Sequence, residues 1–133
     1  MDDAVMQKVV VGLSAKEDFR VDEQCTAGFV GSGGLDVLAM PSLVAFVERV
    51  AYYLVQDALP TGYSSVGARI ELKHLAPTPS GDDVCVRCEV TEVDGWRVVI
   101  RFEALDARQK VGEGRHEREV IDVASFLKKL AER

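Results

Sequence analysis

The spacing of apolar positions changes once along this chain. Residues 41–56, PSLVAFVERVAYYLVQ, are almost entirely apolar and sit between Pro41 and the stop residues Pro60 and Gly62. That pattern predicts a long helix over residues 40–58, with proline in its first turn. At about 1.5 Å per residue it would reach close to 30 Å. Because it is apolar on nearly every side, it is expected to be covered on most of them. From residue 66 onward the period becomes two. Val84, Val86, Cys88 and Val90 alternate with Cys85, Arg87 and Glu89, and Val98, Ile100 and Phe102 alternate with Arg97, Val99, Arg101 and Glu103. Alternation of this kind predicts strands with one wet face, here over residues 66–75, 83–93, 96–106 and 110–123. Asp94-Gly95 marks a tight hairpin, and residues 107–110 a second turn.

The remaining segments are shorter. MQKVVVGL at residues 6–13 has strand composition, as does KEDFRV at 16–21. Residues 24–34 are small and Gly-rich, which predicts a loop or lid ahead of the long helix. The final ASFLKKLAER reads as a short amphipathic helix. One long helix followed by an antiparallel meander defines an α+β architecture, a curved sheet wrapped around a central helix. Such a sheet has edge strands, and pairing the edges of two copies would continue it, which predicts a homodimer.

Length and composition narrow the classes. The 133 residues fit one domain spanning 1–133. A formal net charge of -6 argues against a sequence-independent grip on nucleic acid or an anionic membrane. The longest apolar run is broken by Glu48, Arg49 and Gln56, so no membrane span is expected, and the acidic Asp2 and Asp3 are unlike a signal peptide. Three cysteines, an odd number, argue against a disulfide scaffold and suit a reducing cytoplasm. Cys85 and Cys88 have CxxC spacing, yet an odd separation on a strand sends them to opposite faces. With two histidines in the chain and no second CxxC, no metal site is expected. The glycines at 31–34 lack the lysine and context of a phosphate loop.

Two residues carry candidate chemistry. Glu48 is the only acid in residues 41–56, and on a helix its neighbours three and four positions away are Val44, Ala45, Ala51 and Tyr52. A carboxylate projecting from an apolar surface suits acid–base or nucleophilic work, although pairing with Lys73 or with Arg49 of a second copy would account for it equally. His74 stands at the end of a predicted strand, before the Pro-rich turn PTPSGD, and an acid on the helix with a histidine at the strand end can share a site. Ser42 reads first as a first-turn residue and only second as a nucleophile. Gly67 reads equally as a bulge or a site glycine, and His116 is assigned no role.

VLAMPSLVAFVERVA, SVGARIELKHLAPTPSGDDV and VGEGRHEREVI together resemble the hotdog-fold thioesterases, in particular the branch of fluoroacetyl-CoA thioesterase-like proteins. The resemblance covers most of the chain. It implies a dimer that can associate to a tetramer, acyl-CoA sites between protomers, and water-dependent thioester cleavage with no cofactor, CoA being part of the substrate. Position by position it implies that Glu48 is the helix carboxylate, His74 the strand histidine, and Gly67 and Arg118 a site glycine with its arginine. Met40 falls where the family's catalytic threonine stands, leaving Ser42 as the nearby hydroxyl. Gly31, Ser32, Gly33 and Gly34 fall where phenylalanines close over the acyl group, which implies a more open acyl pocket and no discrimination for fluoroacetate. On this reading Glu48, His74 and Ser42 are catalytic, and Met40, Gly67, Arg118 and Gly34 line the substrate site. The alternatives are a non-hydrolytic acyl-CoA or acyl-carrier-protein binding module, favoured by Met40, and an enoyl-thioester hydratase.

Overall fold

A computed structural model describes residues 4–133; Asp2 and Asp3, read above against a signal peptide, lie outside the described residues. The chain runs β1 (Ser14–Arg20), a 3-10 turn (Glu23–Cys25), α1 (Ala27–Val30), α2 (Met40–Gln56), β2 (Tyr63–His74), β3 (Asp83–Asp94), β4 (Arg97–Leu105), β5 (Lys110–Asp122) and α3 (Val123–Glu132). The strands form one sheet in the order β1-β3-β4-β5-β2, every pairing antiparallel, so β1 and β2 are its edges within the chain. The expected α+β arrangement is present, with α2 lying across the sheet.

The period-two reading explains the core. Val84, Val86, Cys88 and Val90 from β3 and Val98, Ile100, Phe102 and Ala104 from β4 are all buried in one core that also takes in the buried face of α2. Cys85 is half-buried on the other face from Cys88, as an odd spacing requires. The β3–β4 hairpin turns at Gly95, whose φ of 62° is the left-handed conformation that a tight turn demands.

Three expectations are corrected. Residues 6–13 do not form a strand. Val5 and Val9, one helical turn apart, are buried in the core while Val10 and Val11 are exposed, and the segment folds as turns closed by Gln7 N–H to Ala4 O and Val9 N–H to Met6 O. Residues 24–34 are partly ordered as helix: Thr26 Oγ1 accepts from Phe29 N–H, and Gly31, with φ 86°, ends α1. Finally, α2 is not covered all round. The sheet buries Leu43, Val47, Val50, Ala51, Leu54 and Val55, whereas Met40, Ala45, Glu48, Arg49 and Tyr53 remain exposed, because one curved sheet covers one side of one helix.

Two glycines of β5 let the layers approach. A Cβ on Gly112 would lie 3.0 Å from Leu43 Cδ2, and one on Gly114 would run into the carbonyl of Glu71 and lie 2.7 Å from Phe102 Cζ. Gly114→Ala therefore forces backbone against side chain in a filled sheet, and is expected to lower unfolding free energy by about 2 to 4 kcal/mol. Urea unfolding of the variant checks this, and an unchanged midpoint would count against the packing described.

Candidate active site

The site begins with a bulge. The pairing of β2 with β5 shifts between Gly67 and Arg69, which inserts an extra residue and reverses the side-chain parity beyond it. Ser65 and Gly67 face α2 before the bulge, and Ile70, Leu72 and His74 face it afterwards. Without the inserted residue, one of the two sets would point to the opposite side of the sheet.

Around Gly67 a charged group is assembled. Arg118, directly opposite Gly67 in the β2–β5 register, is only 5% exposed. Its Nε donates to Ser65 Oγ at 2.8 Å and Nη2 donates to the Ser65 carbonyl at 3.1 Å. Its Nη1 lies 3.1 Å from His116 Nε2 and 3.7 Å from Glu48 Oε2. The last is an ion-pair distance, longer than a hydrogen bond. The guanidinium carbon lies 5.8 Å from the centroid of the Tyr52 ring, one turn along α2 from Glu48. Gly67 leaves room for the carboxylate where it stands: a Cβ there would lie 2.6 Å from Glu48 Oε2, and the flexible Glu48 side chain would have to shift. Glu48 is thus anchored on one side and 47% exposed on the other. Its ion-pair partner within the chain is Arg118, not Lys73.

Burial, the largest influence, lowers the Arg118 pKa from the ordinary arginine value, and Glu48 and Tyr52 oppose it. It remains a cation, because arginine keeps its proton in proteins. His116 is 2% exposed, and its Nδ1 lies 2.9 Å from the Arg69 carbonyl. Burial pushes its pKa below 6.5, and Arg118 adds to that, while the bond to the Arg69 carbonyl, Glu48 and Glu117 pull the other way.

His74 belongs to a second locus. It lines an open, mainly apolar groove of about 750 Å³ with Ala27, Leu38, Met40 and Val44 at the start of α2. Its Nε2 is buried without a hydrogen-bond partner, and burial lowers its pKa below 6.5 against a backbone hydrogen bond at Ala76. Met40 is 48% exposed at the groove wall. The helix N-cap is Ala39, which gives no side-chain hydrogen bond, so the first-turn N–H groups lack a side-chain acceptor there; Ser42 sits half-buried in that turn. Of residues 31–34 only Ser32 lines the groove; Gly34 is exposed, and a Cβ on it would meet nothing within 4 Å.

Within one chain, then, Glu48, Gly67 and Arg118 come together, as do His74 and Met40, but the two groups are separate. Gly67 and His74 are seven residues apart on β2, about 20 Å of strand. Ser65, Tyr52 and His116 were not recognised from the sequence. His116 shares strand parity with Arg118, which was the available signal. Among the described residues no group of three or more His, Cys, Asp or Glu side chains is arranged to hold a metal ion, and no helix is long and apolar enough to cross a membrane.

A five-stranded antiparallel sheet across one long helix, with a carboxylate on that helix, is the hotdog fold of thioesterase-like proteins. Residues 21–124 match the family model described as fluoroacetyl-CoA-specific thioesterase, and the chain belongs to that family. It is 33% identical over 98 residues to the fluoroacetyl-CoA thioesterase of Streptantibioticus cattleyicolor, a match covering 74% of this chain and 70% of that one. A solved structure of the fluoroacetyl-CoA thioesterase superposes with a TM-score of 0.85 at 29% identity, covering 93% of this chain and 96% of the other. A hot-dog-like protein from Thermanaerovibrio acidaminovorans superposes with a TM-score of 0.87 at 29% identity, covering 92% and 91%. A thioesterase superfamily member from Thermus thermophilus gives 0.86 at 26% identity, covering 96% and 97%.

Both histidines have folded-state pKa values below the ordinary 6.5. The unfolded chain therefore takes up protons first as pH falls, so their contribution to stability is full above 6.5 and is lost as pH drops through the folded values. Urea midpoints are expected to decline between about pH 8 and about pH 5; a midpoint flat across that range would contradict it.

Proposed function

We propose that this protein hydrolyses an acyl-CoA thioester to the free acid and CoA, with Glu48 as nucleophile or general base and His74 as proton relay. The observation that carries this reading is the Glu48 carboxylate, fixed by a buried guanidinium yet open to solvent on its other side. A thioester carbonyl is electrophilic and its thiolate leaves readily, so the chemistry needs an oriented nucleophile or water, a donor for the oxyanion and a proton source. Glu48 supplies the first. The first-turn N–H groups of Met40 and Ser42, without a side-chain cap and with Pro41 between them offering none, supply donors at the positive end of α2. His74, neutral near pH 7 and with an unpartnered Nε2, supplies proton transfer. The apolar groove beside it accepts an apolar acyl group, with Met40 in its wall and Ser32 at its edge.

Glu48 reaches β2 at Gly67, about 20 Å of strand from His74, too far for the two to act together within one protomer. β2 is an edge strand, and two copies paired antiparallel about Ile70 would set residue 67 of one strand opposite residue 73 of the other, bringing Glu48 beside the partner's His74. The homodimer is part of the proposal for that reason. Met40, a thioether in place of a hydroxyl donor, favours the second reading, an acyl-CoA binding module without turnover.

Free-thiol release from a panel of short, medium, branched and aromatic acyl-CoAs tests the activity. Glu48→Gln and His74→Ala are each expected to lose about a hundredfold or more in turnover while remaining dimeric. Co-refolding the two inactive variants should restore about one quarter of parental activity, because half of random dimers are mixed and each holds one intact site. No restoration would mean that the pair does not act across the dimer. Saturable acyl-CoA binding without thiol release from any substrate would select the binding module, and hydration of an enoyl thioester without thiol release would select a hydratase.

A further inference from the structure

We propose that His116 is a positioning residue: in its neutral Nδ1–H tautomer it accepts a hydrogen bond from Arg118 and so holds the guanidinium in place against Glu48. This rests on the assignment of Glu48 made above. The tautomer follows from the neighbours. Arg69 presents a carbonyl oxygen 2.9 Å from Nδ1, and a carbonyl can only accept, so Nδ1 carries the proton. Arg118 Nη1 lies 3.1 Å from Nε2, and a guanidinium nitrogen can only donate, so Nε2 offers its lone pair. Both ring nitrogens are thereby used, and the ring is locked between β2 and its own strand.

The consequence concerns Glu48. Ser65 takes the Nε and Nη2 protons of Arg118, leaving Nη1 as the nitrogen that faces both His116 and the carboxylate. His116 fixes the direction of that nitrogen. A proton on Nε2 would set two donors and two positive charges 3.1 Å apart in a buried place, and the guanidinium would have to leave. The charged groups acting on His116 are Arg118 on its own strand β5 and Glu48 on α2, with Glu117 at the next position of β5; its register partners, Ile70 on β2 and Ile100 on β4, carry no charge. Turnover therefore depends on an unprotonated His116, and burial keeps it unprotonated at neutral pH.

Two measurements test this. Nitrogen-15 NMR of the parent protein should show His116 protonated at Nδ1 and bare at Nε2 at neutral pH; the opposite tautomer overturns the proposal without reference to activity, and decides the matter even if a variant fails to fold. In thiol-release assays, His116→Phe is expected to lower kcat by roughly tenfold to a hundredfold with KM little changed, as for misplacement of a reacting group. His116→Gln, whose amide oxygen accepts from Arg118 at any pH, should recover most of that turnover and extend activity to lower pH than the parent. Parental kcat and pH profile in His116→Phe, with Glu48→Gln inactive, would overturn the positioning role alone. Parental activity in Glu48→Gln would overturn the proposed function and this dependence with it.

Discussion

A cation buried as deeply as Arg118 is tolerated only when its donors are used and its charge is answered. Each condition here is met by a different element. Ser65 on β2 takes two donors, His116 on β5 takes a third, and α2 brings the Glu48 carboxylate and the Tyr52 ring. The requirements of one side chain thus fix how the helix lies on the edge of the sheet. They also explain Gly67: any side chain there would occupy the space of the Glu48 oxygen. The ion pair is asymmetric, Arg118 being 6% and Glu48 47% exposed. The buried partner is held by the protein, and the exposed one faces solvent.

The bulge in β2 makes a single edge strand serve two purposes. Before it, Ser65 and Gly67 complete the arginine group; after it, Ile70 and Leu72 pack on the core and His74 enters the groove at the start of α2. An unbroken period of two would have sent His74 to the wet face with Lys73 and Glu71 inward. The irregularity therefore costs one ladder pairing and places both loci on the helix side of the sheet.

Much of this was legible in the residues. The change of period from helix to strand located α2 and the four strands that follow it, and the lone acid in an apolar helix singled out Glu48. What was not legible depended on register. Arg118 and Gly67 were paired by resemblance to a family, but that they stand opposite one another is a property of the β2–β5 ladder. His116 read as one more residue of a charged strand, because the carbonyl that fixes its tautomer belongs to Arg69, 47 residues away in sequence. Residues 6–13 misled because valines suit strands and buried turns alike; Val5 and Val9 at one-turn spacing decided the outcome through packing rather than propensity. The exposure of Tyr53 and Met40 likewise could not be read from composition, since a helix apolar on nearly every side does not say which face the sheet takes.

The same physics bears on Met40. A hydroxyl at the start of α2 would compete for the first-turn N–H groups as a cap, as serine and threonine commonly do. A thioether cannot, and Ala39 at the cap position offers no acceptor either. The backbone donors then stand beside His74 at that end of a mainly apolar groove, and they point along the helix axis with its positive end. In the proposed reaction, polarisation of the thioester carbonyl falls to the backbone rather than to a side chain. The arrangement depends on α2 starting where it does, which Pro41 in its first turn and the Ala39 N–H bond to the Cys25 carbonyl secure.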